Sequence, residues 1–139
     1  MPYAYPANLE RDADGVTLTF DGLPGATWGA TDREALGQAE DFLGTALSAC
    51  IEDGKPVPEP KVASGRPVVT VPALVAAKLA LHNAMLAQGI TNVDLAHRLG
   101  ADEKTVRRLR DPLYRSRIDG VESALRLLGR RLEITAVAA

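Results

Sequence analysis

Thr91-Asn92-Val93-Asp94-Leu95-Ala96-His97-Arg98-Leu99-Gly100-Ala101-Asp102-Glu103-Lys104-Thr105-Val106-Arg107-Arg108-Leu109 holds two short helical patterns on either side of a glycine. Thr91 precedes the first pattern and Asp102 the second. Each has a side-chain oxygen able to accept from the orphan backbone N–H groups of a first turn. Leu95, Ala96 and Leu99 share one face of the first helix, and Val106 and Leu109, three apart, anchor the second. Ala96 is small enough to let the second helix cross closely, and Gly100 supplies the tight turn. Two short helices joined in this way read as a helix-turn-helix. With Val106 and Leu109 facing inward, Glu103, Lys104, Arg107 and Arg108 face outward.

The pattern resembles the helix-turn-helix of the Cro and repressor type, which implies that the second helix enters the major groove by its N-terminal part. Lys104 and Arg107 can donate to guanine O6 and N7, and Glu103 can accept from a cytosine amino group. Arg108, Arg110, Arg115 and Arg117 are better placed for phosphates, which position a protein without reading sequence. The candidate DNA surface therefore comprises Thr91, Asn92, Asp102, Glu103, Lys104, Thr105, Arg107, Arg108, Arg110, Arg115 and Arg117. Between Arg98 and Arg117 stand seven basic residues against three acidic ones. The plainer alternative is a helical bundle with a solvated basic face.

Outward from this motif the chain stays helical. The spacing predicts helices over 73–87, 92–99, 103–110 and 118–128, ended by Gly89, Gly100, Asp111-Pro112 and Gly129. Residues 131–137 alternate like a final strand, and an unpaired edge of that kind is a template for a second copy. Upstream, four prolines at 56, 58, 60 and 67 mark an extended connector. Before it, residues 3–9 and 16–20 alternate as strands around the turn Asp12-Ala13-Asp14-Gly15. Residues 26–30 suit a short third strand. Thr31 and Glu34 form a capping box opening a helix over 32–52, with Leu36, Ala39, Phe42, Leu43, Ala46, Leu47 and Cys50 as its apolar stripe. Val68–Val71 is a fourth strand. The expected class is α+β: a small β-β-β-α-β unit over residues 1–66, extended by that strand, then an all-α unit with a terminal strand over 67–139.

Charge divides along the same line. Residues 1–66 carry five basic and eleven acidic side chains, a net of −6, while residues 67–139 carry eleven basic and seven acidic, a net of +4. The basic half suits a polyanion and the acidic half a basic protein. At 46% hydrophobic and 24% charged the chain is globular in composition. Aromatic residues are only 4%, so Leu, Val, Ile and Ala must build the cores, and small units of that kind gain from oligomerisation. The lone Cys50 cannot close an intrachain disulfide. No signal-like segment and no apolar run of membrane length is visible, and the cytoplasm is the expected compartment.

Both halves together resemble the HicB antitoxin family. The resemblance rests on Phe20-Asp21-Gly22-Leu23-Pro24-Gly25, Gly29-Ala30-Thr31 with Glu34-Ala35, the exit Gly54-Lys55-Pro56-Val57-Pro58-Glu59-Pro60, and the later Val71-Pro72 and Leu128-Gly129-Arg130-Arg131-Leu132. Gly22, Ala26 and Ala30 depart from the family's usual Asp, Cys and acid. The resemblance implies a truncated ribonuclease H-like fold for the first unit, without nuclease activity. It implies a HicA-type partner, a small basic toxin that cleaves messenger RNA, and repression of the chain's own operon by binding operator DNA as a homodimer or higher oligomer.

Toxin-binding candidates are Asp12, Asp14, Asp21 and Trp28. Catalysis is not expected, because Asp12 and Asp14 sit in a turn and Glu34 is a cap. His82 and His97 lack partners at metal spacing, and no cofactor is expected. The competing reading is a ligand-sensing transcription regulator with no toxin partner.

Overall fold

The computed structural model describes residues 3–61 and 65–138. Its elements are β1 (Ala4–Asp12), β2 (Gly15–Phe20), β3 (Thr27–Gly29), α1 (Asp32–Glu52), β4 (Val68–Thr70), α2 (Ala73–Gln88), α3 (Asn92–Leu99), α4 (Glu103–Arg110) and α5 (Ile118–Leu127). The chain divides into two compact units, Met1–Val71 and Pro72–Ala139.

The first unit is a four-stranded antiparallel sheet in the order β3-β2-β1-β4. Strict alternation sets its inner face. Val16, Leu18 and Phe20 are buried from β2, and Tyr5 and Ala7 from β1. Against them α1 presents Ala35, Ala39, Leu43, Ala46, Leu47 and Cys50. Small residues at 35, 39 and 46 bring the helix close, while Leu36 and Phe42 of the expected stripe are half-buried. Phe42 stacks on Phe20 with ring centroids 5.9 Å apart. Thr31 caps α1 by accepting from Glu34 N, and the Glu34 carboxylate reaches back to Ala30 N, one residue short of a standard capping box.

The β1–β2 hairpin closes through Ala13-Asp14, with Asp12 opposite Gly15. Gly15 has φ +148°, and a Cβ there would lie 2.7 Å from the Trp28 ring. Glycine at this position therefore lets the indole lie across the hairpin. β4 pairs with β1, Tyr5 opposite Val69. This pairing carries the first unit past the boundary expected after residue 66.

The second unit is built from α2, α3, α4 and α5. Its core holds Ala77, Leu81, Ala84, Met85, Leu95, Ala96, Val106, Leu109, Val121, Ala124, Leu125 and Leu128. The helix bounds match the expected ones to within a residue, because each end has its own local stop. Gly89 and Gly100 end α2 and α3 in the left-handed conformation, at φ +66° and +67°. Within one chain residues 130–138 form no strand; the expected pairing is with a second copy. Leu132 packs on the core, but Ile134 and Val137 are exposed. A strand needs a neighbour to satisfy its backbone, and the all-helical unit offers none. Among the described residues no single helix is long and apolar enough to cross a membrane.

Candidate functional site

In the second unit, α3 and α4 are joined by Gly100-Ala101-Asp102. Thr91 caps α3 with a full capping box: its hydroxyl accepts from Asp94 N at 3.1 Å, and Asp94 accepts from Thr91 N at 3.1 Å. Asp102 caps α4, accepting from Thr105 N at 2.9 Å and from the Thr105 hydroxyl at 2.6 Å. These hydrogen bonds hold both carboxyls below the ordinary carboxylate range. Val106 and Leu109 are buried, so Lys104, Arg107 and Arg108 lie on the exposed side of α4. Arg107 is two-thirds exposed and pairs with Glu103 one turn earlier at 3.0 Å. Arg108 lies over the Tyr114 ring, 5.1 Å from its centroid. Arg115 is exposed, and Arg117, also exposed, pairs with Asp119 at 3.4 Å. The structure thus places nine of the eleven expected residues on one helix pair or its caps, and two, Arg115 and Arg117, on the segment that follows.

Arg110 and Asn92 differ from the rest. Arg110 is half-buried and points inward, its guanidinium donating to Asn92 Oδ1 at 2.6 Å and meeting the buried His82 ring. Burial lowers its pKa. Its Nε has no hydrogen-bond partner among the described residues. In this state Arg110 ties α4 to α2 and α3 rather than facing solvent.

In the first unit, Asp12 and Asp14 are exposed at the hairpin tip. Asp12 Oδ1 accepts from Asp14 N at 2.8 Å and Gly15 N at 3.1 Å, an Asx turn. Asp21 accepts from Asn8 at 2.7 Å and from Arg66 at 3.3 Å, which lowers its pKa. Trp28 is 51% exposed on the edge strand β3. Val16 and Thr17 on β2 pair with Gly29 and Trp28, and among the described residues the other edge of β3 has no strand beside it.

A family model described as the HicB_like antitoxin of bacterial toxin–antitoxin systems matches residues 4–80, the whole sheet unit and the start of α2. The chain belongs to the HicB-like antitoxin family. It is 37% identical to "Antitoxin HicB 2" of Photorhabdus laumondii over 96% of both chains. It is 38% identical to "Antitoxin HicB" of Pseudomonas fluorescens over 99% of this chain and 96% of that one. It is 34% identical to "Antitoxin HicB" of Escherichia coli K12 over 96% of this chain and 99% of that one. The similarity therefore runs through the helical unit as well as the sheet.

Two polar residues of this HicB-like chain escaped the sequence reading of the site. Lys78 is fully buried on α2, and its ammonium reaches the C-terminal end of α4. Arg66 donates to the carbonyls of Pro6 and Ala7 on β1 and to Asp21 just after β2. The available signal for Lys78 was its place in the apolar run Ala73-Leu74-Val75-Ala76-Ala77-Lys78-Leu79-Ala80-Leu81-His82, where a solvated lysine has no room.

Proposed function

We propose that this chain is the antitoxin of a type II module with its two tasks in separate units. The sheet unit binds and neutralises a HicA-type, messenger-RNA-cleaving toxin. The helical unit uses α3 and α4 as a Cro-type helix-turn-helix to bind operator DNA and repress the operon. The observation that carries this reading is full-length similarity to proteins named as HicB antitoxins, joined to a charge split of −6 and +4 between residues 1–66 and 67–139. A basic, RNA-binding toxin is steered toward an acidic surface. The exposed Asp12, Asp14 and Trp28 are the contacts we assign to it, and for the fold of the unit we retain the truncated ribonuclease H-like sheet that the resemblance implies.

The carboxylates favour a non-catalytic role. Asp12 is spent on a turn, Asp21 on Asn8 and Arg66, and Glu34 on a helix cap. A ligand-sensing regulator has weaker support. A groove lined by Tyr5, Pro6, Asp21, Pro58 and Pro60 encloses about 210 Å³, below the usual size of small-molecule sites. The deciding experiment is co-expression of the chain with the small protein encoded beside it. Growth rescue and co-purification are expected; a neighbour that is harmless alone and does not co-purify would overturn the reading.

On DNA, Arg107 and Arg115 have different tasks. Arg107→Ala is expected to cost about 1–3 kcal/mol at the cognate site and to relax preference at one base position. Arg115→Ala is expected to weaken all duplexes alike and lower the salt slope by about 1. Titration of a cognate and a scrambled duplex at several salt concentrations separates the two. Equal weakening of both duplexes by Arg107→Ala would make it a phosphate contact.

The segment after α5 is assigned to self-association. Arg131 and Glu133, two residues apart, pair at 2.7 Å, as on one side of an extended chain. Deleting 131–139 is expected to convert a homodimer to monomers in sedimentation, and a truncated chain that still sediments as a dimer rules this role out.

A further inference from the structure

Lys78 is the largest fully buried side chain of the helical unit, and an isolated buried ammonium is costly unless its protons are satisfied. Here they are. The three protons of Nζ are shared among four acceptors: the carbonyls of Arg108 at 2.8 Å, Asp111 at 2.8 Å and Tyr114 at 2.6 Å, and the Ser116 hydroxyl at 2.8 Å. The Tyr114 ring lies over it, 5.6 Å away, and is shared with Arg108. Three of these acceptors are backbone carbonyls at or beyond the end of α4, where a helix leaves carbonyls unpaired and favours a cation. The segment they belong to has little regular structure of its own: Asp111 to Arg117 is a turn and an irregular run. Its internal bonds among the described residues run from Tyr114 N to Asp111 O, from Ser116 N to Tyr114 O, and from Leu113 N to the Asp111 carboxylate at 2.9 Å. Leu113, Tyr114 and Arg115 are exposed in succession, and Ser116 is the next residue to turn partly inward. Arg115 and Arg117 are exposed on either side of the half-buried Ser116, whose hydroxyl Lys78 holds. Ser116 is thus a fixed point between the two exposed arginines.

We propose that Lys78 is the positioning residue of the DNA surface: from inside the fold it gathers the end of α4 and residues 111–117 into one shape, and so sets Arg115 and Arg117 beside the recognition helix. The inference rests on the DNA-binding reading above and adds to it a residue that touches no DNA. The order of events is physical. Phosphate contacts fix the register of a protein on the duplex. Two arginines on a tethered loop lose less conformational freedom on binding than two on a loose one. Burial draws the Lys78 pKa down to about 8, with the Asp111 carboxylate pulling it back up.

The test uses the full chain, the tightest duplex selected from a random pool, and a scrambled duplex of the same composition. Lys78→Met is expected to lower affinity for both duplexes at least tenfold. It should reduce the slope of log K against log salt by about 2, one for each displaced arginine. Adding Arg115→Ala to Lys78→Met should then cost less than Arg115→Ala costs alone, a coupling that a general loss of stability would not produce. Amide exchange of residues 113–117 should accelerate while the buried amides of α3 stay protected. A folded Lys78→Met chain with the full affinity and slope overturns the proposal. Should that variant fail to fold, Ser116→Ala removes one acceptor of Lys78 together with the hydroxyl's own 3.2 Å bond to the Arg108 carbonyl, which belongs to the same clasp. Faster exchange at 115–117 with a severalfold loss of affinity supports the proposal, and unchanged values overturn it. A wild-type chain that binds neither duplex defeats the DNA-binding reading instead. The exchange rates then judge the anchor by themselves, and unchanged rates overturn it.

Discussion

Leu95→Ala is expected to unfold the helical unit while leaving the sheet unit folded. Leu95 is fully buried on α3 in the cluster with Leu81, Met85, Val106, Leu109 and Leu125. Truncation removes its transfer free energy and leaves a cavity in a core of short aliphatic side chains, at a cost of about 2–5 kcal/mol. That is comparable to the roughly 3–5 kcal/mol that a single core supplies to a unit of this size. The caps at Thr91 and Asp102 cannot offset it, since a cap contributes only about 1 kcal/mol. Thermal melting followed by circular dichroism should lose its helical transition at the growth temperature. The functional signature is sharper than the melt: operator binding should vanish and toxin capture should persist, because the core of the sheet unit has no residue in that cluster. If both activities fall together, the two tasks are not divided as proposed.

Gly29→Ala is expected to have the mirror effect. Gly29 is buried at the end of β3, and a Cβ there would press into the backbone nitrogen of Ala35 and lie 2.8 Å from Glu34 Cβ. These are atoms at the start of α1, held by the Thr31 cap and unable to rotate aside. Either α1 lifts from the sheet or β3 leaves β2, so the substitution costs about 1–3 kcal/mol, the usual range for overpacking. β3 carries Trp28, so displacement of the strand also moves a proposed toxin contact. Toxin neutralisation should weaken and operator binding should survive in a gel-shift assay of the same preparation. Retained neutralisation at full strength would show that the β3–α1 junction and Trp28 lie outside the toxin surface.

The helices, caps and buried faces of 91–109 are legible in sequence because their signals are local. Thr91 and Asp102 cap within three residues, Gly100 turns within one, and Val106 with Leu109 declares the buried face of α4 at helical spacing. The same is true of Val16, Leu18 and Phe20, whose alternation sets the inner side of the sheet. Such features depend on neighbours in sequence and on period, and both are written in the chain. The charge split is equally legible, since it needs no contacts at all.

Where a side chain's partner lies far along the chain, its environment depended on the fold. Arg110 shows the same basic character as Arg108 in sequence, yet it turns inward because His82 and Asn92 lie across the core from it. Lys78 stands 30 residues from Arg108, and only the packing of α2 beside α4 makes its ammonium a clasp. Residues 131–137 alternate as a strand should, but strand pairing is a property of two segments, and the helical unit supplies no second one. By itself, then, the sequence determined the helices, their caps, the faces they bury and the sign of each half. The tertiary structure decided which polar groups are tied down inside, because burial and hydrogen bonding to distant carbonyls arise only once the helices are brought together.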